Sequence, residues 1–209
     1  MFHVEHVLKK LFVNKDLPKI KGQLELLKEK YFKWNNVYNI SSIRNENDFW
    51  IKHVLDSLCL AKYLSLDPKI KKIIDVGSGG GFPAIVLSMV LDSDVLALEP
   101  IKKKTDFIDY CSLKIGLKNL HTINSKFQNM RLDQDVVVSR ALGMYNELCT
   151  HSFSQDKKPR VVIMTTNKNI KELSFEHVTI KDQYDEVSEF SLGKLEDHIL
   201  CEVYSKKYN

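Results

Sequence analysis

Apolar residues recur at three- and four-residue steps through the first third of the chain. Val4, Val7, Leu8, Leu11 and Phe12 form one such series, and Leu24, Leu27, Tyr31 and Trp34 a second. Both predict helices with one buried face. A third helix is expected over residues 46–65, where Phe49, His53, Asp56, Leu60 and Tyr63 repeat the step and Asn45 or Asn47 stands ready to cap it. Pro68 marks a break, and the pattern changes. Lys72-Ile73-Ile74-Asp75-Val76 and Asp94-Val95-Leu96-Ala97-Leu98 read as short buried strands. Leu120 to Ile123, Asp135 to Val138 and Val161 to Thr165 read the same way, with helical stretches between most of them. Strand and helix in alternation predict a parallel sheet covered on both faces, an α/β architecture. Val178 to Phe190 and His198 to Tyr204 lean towards β and flank a loop containing Gly193, so an antiparallel hairpin is expected at the sheet edge. The chain therefore divides into a helical cap, 1–66, and an α/β core, 67–209.

Composition narrows the classes. Among 209 residues 44% are hydrophobic and 28% charged, as in an ordinary globular domain. No run of eighteen apolar residues predicts a membrane span. Met1 to Leu11 alternates apolar and charged residues and lacks an apolar signal region, so a cytoplasmic protein is expected. Cys59, Cys111, Cys149 and Cys201 are widely spaced and form no C-x-x-C pair, which predicts buried thiols. His3, His6, His121, His151, His177 and His198 show no ligand spacing, and no metal is assigned. The net charge of +4 permits a nucleic-acid partner only if the cations cluster.

Half of the eight glycines fall in Gly77-Ser78-Gly79-Gly80-Gly81, directly after the first strand and before Phe82-Pro83-Ala84. Glycines at a strand-to-helix turn let a ligand approach the backbone. Gly79 to Ala84 satisfies G-x-G-x-x-A in form, so a nicotinamide-dependent oxidoreductase is one reading. Asp75, an acid inside the strand end, favours another. Asp75-Val76-Gly77-Ser78-Gly79-Gly80-Gly81 resembles the D-x-G-x-G-x-G motif of S-adenosylmethionine-dependent methyltransferases, with Glu99 at the end of the second strand in the place of a ribose-facing acid.

Further strings sharpen the resemblance. Trp34-Asn35-Asn36-Val37-Tyr38-Asn39-Ile40-Ser41, His53-Val54-Leu55-Asp56-Ser57-Leu58 and Ser139-Arg140-Ala141, together with Asp75 to Pro83 and Glu99 to Lys104, resemble the bacterial small-subunit ribosomal RNA guanine-N7 methyltransferases (RsmG or GidB). The resemblance covers nearly the whole length. It implies a class I, Rossmann-like sheet, S-adenosylmethionine as cofactor, and N7 of a guanine in 16S rRNA as target, free or within the 30S particle. Carried over residue by residue, it implies that Asp75, Gly77, Gly79 and Phe82 border the cofactor, that Phe127 and Gln128 flank its adenine, and that Arg140 stands at the cofactor and active-site mouth. Asn39, His53, Lys103, Lys104 and Arg140 are the residues expected to meet RNA. One departure is plain. Many relatives carry a lysine at the end of strand five, where this chain reads Met164-Thr165-Thr166-Asn167, with Lys168 just beyond.

The chemistry asked of such a site is modest. Guanine N7 carries a lone pair and no proton, so no general base is needed, and the demand is for in-line geometry. The D/N-P-P-Y/F string of exocyclic-amine methylases is absent after strand four, and no cysteine follows a proline or threonine, as a cytosine-C5 nucleophile would. Arg140 offers a planar fork suited to guanine O6 or a phosphate, or serves as an ion-pair arginine that orients the site. His53 and Asp56, three apart, are expected to meet on one helix face, shaping the mouth or anchoring the cap. Trp34, Trp50 and Tyr38 can stack bases, although their helical spacing reads as core. A non-catalytic RNA-binding scaffold is the remaining alternative.

Overall fold

The computed structural model describes residues 2–185, 188–191 and 193–207. The two apolar series at the start of the chain fold as α1 (Phe2–Leu11) and α2 (Leu17–Tyr38). Asp16 caps α2 by accepting from the Lys19 N–H, and Asn39 ends it in the left-handed region at φ 51°. The third helical stretch has three parts: α3 (Glu46–Asp48), a π-helical segment Phe49–Leu55, and α4 (Asp56–Ser65). Of the two expected caps, Asn45 is the one used, its side chain accepting from the Asp48 N–H at 2.8 Å.

The five apolar runs become β1 (Lys72–Val76), β2 (Asp94–Leu98), β3 (Leu120–Ile123), β4 (Val136–Arg140) and β5 (Arg160–Thr166). They pair in parallel, with β1 between β2 and β4. The helices α5 (Ala84–Val90), α6 (Lys102–Ile115) and α7 (Tyr145–Phe153) connect them. Two strands complete the sheet, β6 (Phe175–Ile180) and β7 (His198–Lys207), in the order β3-β2-β1-β4-β5-β7-β6. β7 lies antiparallel to both neighbours, so the expected antiparallel pair is present. Its outer strand is shifted, however. β6 starts before Val178 and stops at Ile180, and the stretch after it is helical where described, as α8 (Asp182–Asp185) and α9 (Ser188–Ser191), while residues 186 and 187 lie outside the described residues. Tyr184 explains the preference, since α8 buries that ring against the cap, where its hydroxyl reaches Asp56.

Alternation along the strands separates two cores. Ile73, Val136, Val138 and Val162 face α5 and α6 together with Leu24, Tyr31, Phe49 and Leu58 of the N-terminal helices, one continuous apolar body. Ile74, Val137, Val161 and Ile163 face the other side with Leu148, Phe175 and Ile199. Strands buried on both faces read as continuous apolar runs, which is why they were visible in the sequence. The four cysteines are buried, none in a disulfide. Among the described residues no helix is long and apolar enough to cross a membrane.

Candidate active site

The glycine loop turns directly off the end of β1. Gly77 and Ser78 both donate backbone N–H groups to Leu98 O of β2, at 2.8 and 3.2 Å, and the Ser78 hydroxyl donates to Asp75 O. Gly77, Gly79 and Gly81 all have positive φ, but they do different work. A Cβ on Gly81 would overlap the Ile85 side chain, and one on Gly77 would lie 2.8 Å from Leu142 Cδ1. Those two glycines are required by packing. A Cβ on Gly79 would meet nothing nearer than 3.9 Å, so this peptide faces open space.

Two carboxylates brace the loop from beneath. Glu99, only 4% exposed, accepts from the Gly79 N–H at 2.9 Å through one oxygen and from the Ile101 N–H at 3.0 Å through the other. Asp75 is fully buried, accepts from the Ala84 N–H at 3.2 Å and leaves its second oxygen without a partner. Burial drives its pKa up to about 6, against the charge of Arg140 and the hydrogen bond from the Ala84 N–H. A carboxylate enclosed this way at the base of a loop with an open glycine is an incomplete polar site.

Beside the loop lies a slot of about 200 Å³ whose lining includes Val76, Gly77, Leu98, Phe127, Gln128 and Leu142. Phe127 is buried edge-on to His151, and Gln128 is exposed at the rim, donating to Glu147 at 2.7 Å. Flat apolar walls with a polar rim suit a purine. Thus Gly77, Phe127 and Gln128 line the slot, and Asp75, Gly79 and Glu99 form the turn next to it. Phe82 differs from expectation. It is 2% exposed and stacks flat on His53, ring centroids 4.2 Å apart and planes 1° apart, so it binds cap to core from behind the loop.

A second cleft, about 300 Å³, opens where the cap meets the ends of β4, β5 and β7, and Ser41, Lys52, His53, Asp56, Arg140, Thr165 and His198 are among its walls. The β4–α7 turn separates it from the slot. Ala141 of that turn faces the cleft and has φ 54°, a strained setting for a residue with a Cβ, while Leu142 lines the slot. Arg140 organises the cleft. Its Nη1 donates to Lys52 O at 2.7 Å and to Asp56 Oδ2 at 3.0 Å, and Nη2 donates to His53 Nδ1 at 3.1 Å. The guanidinium is therefore an ion-pair brace between β4 and the cap helix rather than a free fork. His53 and Asp56 do not bond to each other as the three-residue spacing suggested, because the π-helical turn widens the helix there and Arg140 joins them.

Asp56 is a buried hub. Its other oxygen accepts from the Tyr184 hydroxyl at 2.7 Å and stands 3.2 Å from His198 Nδ1. Burial alone would raise its pKa, but the His198 hydrogen bond, Arg140 and Tyr184 outweigh that and hold it below 3.8. Burial and the Arg140 charge hold His53 well below 6.5, so the ring is neutral. With Nδ1 accepting from Arg140, its proton sits on Nε2, facing Tyr31 Oη and Ser41 Oγ at 3.3 Å each. Tyr184 and His198 lie 128 and 142 residues from Asp56 along the chain, and no local pattern could have joined them to it.

The remaining candidates are peripheral. Asn39 caps α2 and its side chain accepts from Arg44 Nη2. Lys103 and Lys104 lie in the first turn of α6, outside both clefts. Lys168 is exposed at the start of a short 3-10 turn, Asn169–Glu172, and does not itself line the second cleft, which Thr165 and Thr166 of β5, Asn169 of that turn and His198 of β7 help to wall.

Solved structures resemble this fold. A point mutant of MtNAS in complex with S-adenosylmethionine aligns over 95% of this chain and 76% of its own, with TM-score 0.58 and 16% identity. The ribosomal protein L11 methylase of Lactobacillus delbrueckii subsp. bulgaricus aligns over 73% and 77%, with TM-score 0.52 and 14% identity. The fold is the class I, Rossmann-like methyltransferase sheet. Among curated relatives, the Ribosomal RNA small subunit methyltransferase G of Francisella philomiragia is 34% identical over 130 residues, and that of Francisella tularensis subsp. novicida 34% over 127. Those matches take in 60% and 59% of this chain, which in turn spans about 60% of the relatives' length. The model of the family described as rRNA small subunit methyltransferase G (GidB) matches residues 20–200, from α2 through the glycine loop and the Arg140 cleft into β7, and the chain belongs to that family.

Proposed function

We propose that this protein transfers the methyl group of S-adenosylmethionine to N7 of a guanine in small-subunit rRNA, in the cytoplasm. The observation that carries the reading is the glycine loop, in which Gly77 and Gly81 are packed while Gly79, at positive φ, faces open space, braced by Asp75 and Glu99 beside a purine-sized slot. The residues fit the cofactor. Gly77, Phe127 and Gln128 would hold its adenine, Glu99 its ribose, and Gly79 and Asp75 its amino-acid end. Bound there, S-adenosylmethionine supplies an electrophilic methyl on a sulfonium centre.

The protein's own part is orientation. Guanine N7 needs no proton removed, and the neutral His53 and ion-paired Arg140 fit a cleft that holds a base rather than one that moves protons. Arg140 keeps the cap helix and the β4–α7 turn in register, so the cleft and the slot meet at a fixed distance. Its charge is balanced by Asp56, which lessens repulsion of a purine that becomes cationic on methylation. Lys103 and Lys104, with Asn39 at the cap loop, would meet the RNA backbone outside the cleft.

The test has two stages. Calorimetry with S-adenosylhomocysteine and with NAD separates a methyltransferase from an oxidoreductase, and binding of NAD alone would refute the proposal. Protein-free 16S rRNA and 30S particles are then incubated with S-adenosylmethionine, and 7-methylguanosine is measured by mass spectrometry of the digested RNA. RNA binding without methylation of either substrate would make the protein a scaffold.

A further inference from the structure

The outer seam of the cap carries a feature that the two clefts do not use. α2 and α6 run antiparallel: Gln23 near the start of α2 donates to Ile115 O at the end of α6, and Trp34 packs on Phe107 and Tyr110 at 5.7 and 5.2 Å between ring centroids. One further turn brings the C-terminal end of α2 level with the first turn of α6. There Tyr38 lies against Trp34 at 5.0 Å and is 46% exposed, with Val37 and Ile101 also exposed. The helical spacing had suggested core for these aromatics, which holds for Trp50 and not for Tyr38. The buried indole N–H of Trp34 has no partner.

Charge surrounds this aromatic step. The first turn of α6 holds Lys102, Lys103 and Lys104 and no acid, three cations at the end of a helix where the macrodipole is itself positive. Lys102 pairs with Asp106, whereas Lys103 and Lys104 form no ion pair among the described residues. Such a cluster is electrostatically unfavourable until an anion reaches it. The seam also borders the site, because a Cβ on Gly80 of the glycine loop would lie 3.9 Å from Ile40, two residues beyond Tyr38.

We propose that this seam is a second RNA contact, where an unpaired base flanking the target stacks on Tyr38 and adjacent phosphates reach Lys103 and Lys104. The inference rests on the reading above that the substrate is RNA. An exposed ring needs only the π-face common to every base, and uncompensated lysines need only phosphate, so the chemistry fits single-stranded RNA whatever its sequence. The base adds to affinity by stacking, and the lysines add a salt-dependent part.

The probe is a labelled, unstructured single-stranded RNA of about ten nucleotides, within the usual footprint of such sites, with binding read by fluorescence anisotropy across a salt series. Tyr38→Ala should weaken binding roughly tenfold without changing the salt slope, and Tyr38→Phe, which keeps the ring, should bind like the parent. The Lys103→Ala/Lys104→Ala double variant should flatten the slope by about 1.4, two single-strand phosphate contacts. Leu113→Ser, exposed elsewhere on α6, should change nothing. Tyr38→Ala binding within twofold of the parent, or Tyr38→Phe failing as badly as alanine, would overturn the proposal, as would equal affinity for an acidic peptide of similar charge. Methylation of 30S particles is measured on the same proteins. If the parent does not methylate but the binding pattern holds, the proposed activity falls and the seam stands. If it methylates and no variant alters binding, the seam falls.

Discussion

Asp75→Asn measures what the enclosed carboxylate under the glycine loop costs the fold. In the folded protein the group titrates at about 6 because it is buried with one oxygen unpartnered, whereas in the unfolded chain it titrates near 3.8. Its folded pKa is therefore raised, and between pH 4 and 6 the folded state holds a proton that the unfolded state has lost. The sign follows: stability from this group falls as pH rises through that window, by about 3 kcal/mol in all and about 2 kcal/mol between pH 4.5 and 7.5. Asparagine does not titrate. Its carbonyl keeps the bond from Ala84 N–H, but its amide is buried without an acceptor, a penalty of about 1–3 kcal/mol. The variant should thus be less stable than the parent near pH 4.5, and the difference should shrink or reverse by pH 7.5. Urea denaturation of both proteins across that range is the assay, and subtraction cancels groups common to both, including Asp48 and Asp135, held down to about 2 by hydrogen bonds from Lys194 and Lys157 respectively. The variant should also bind S-adenosylhomocysteine more weakly at every pH. A stability difference that stays flat with pH would refute the reasoning, since Asp75 would then titrate alike in both states.

Other substitutions separate packing from access. Gly79→Ala should fold, losing about 1 kcal/mol to its positive φ, yet bind S-adenosylhomocysteine at least tenfold more weakly by calorimetry, whereas Gly81→Ala should lose about 3 kcal/mol of stability to overlap with Ile85. Glu99→Gln turns an N–H donor towards either Gly79 or Ile101. It should cost about 1–3 kcal/mol of stability, read by urea denaturation, and weaken cofactor binding with it. Arg140→Ala leaves the Asp56 carboxylate buried without its cation and should cost about 3 kcal/mol of stability. Single-turnover methylation should fall about a hundredfold, or about 2.7 kcal/mol in the barrier. Arg140→Lys should not rescue it, because one ammonium cannot span Lys52 O, Asp56 and His53.

What was legible in the sequence was local. The runs around Ile73, Val95 and Val161 announced strands because both faces are buried, and the crowded glycines announced a loop because Gly77, Gly79 and Gly81 each have a backbone, steric or access reason to lack a side chain. Asn45 could be read as a cap because capping acts over three residues. The unread parts are those decided at a distance. The π-helical turn at Phe49–Leu55 leaves no mark in an apolar repeat, and it is that turn which lets Arg140 enter between His53 and Asp56. The residues after Ile180 lean towards strand by propensity but fold as helix around Tyr184, whose hydroxyl finds a carboxylate 128 positions away. His198 carried no motif, and its place on the cleft wall follows from the register that sets it opposite Thr166.

The position of β7 has a consequence for how the molecule assembles. β5 and β6 precede it in the chain, yet they join only through it, so β6 lacks a partner and β5, paired on its other side with β4, presents an open hydrogen-bonding edge until residues 198–207 dock between them. The parallel strands up to β5 and the N-terminal helices can collapse around their shared apolar body beforehand. The resulting intermediate would expose the edge of β5, a template for pairing with another chain. Docking of β7 also carries His198 onto Asp56 and adds a wall to the Arg140 cleft, so completion of the sheet and completion of the cleft are one event. Nascent or truncated chains that stop short of Cys201 should therefore self-associate through the β5 edge, and only chains that insert β7 cover it.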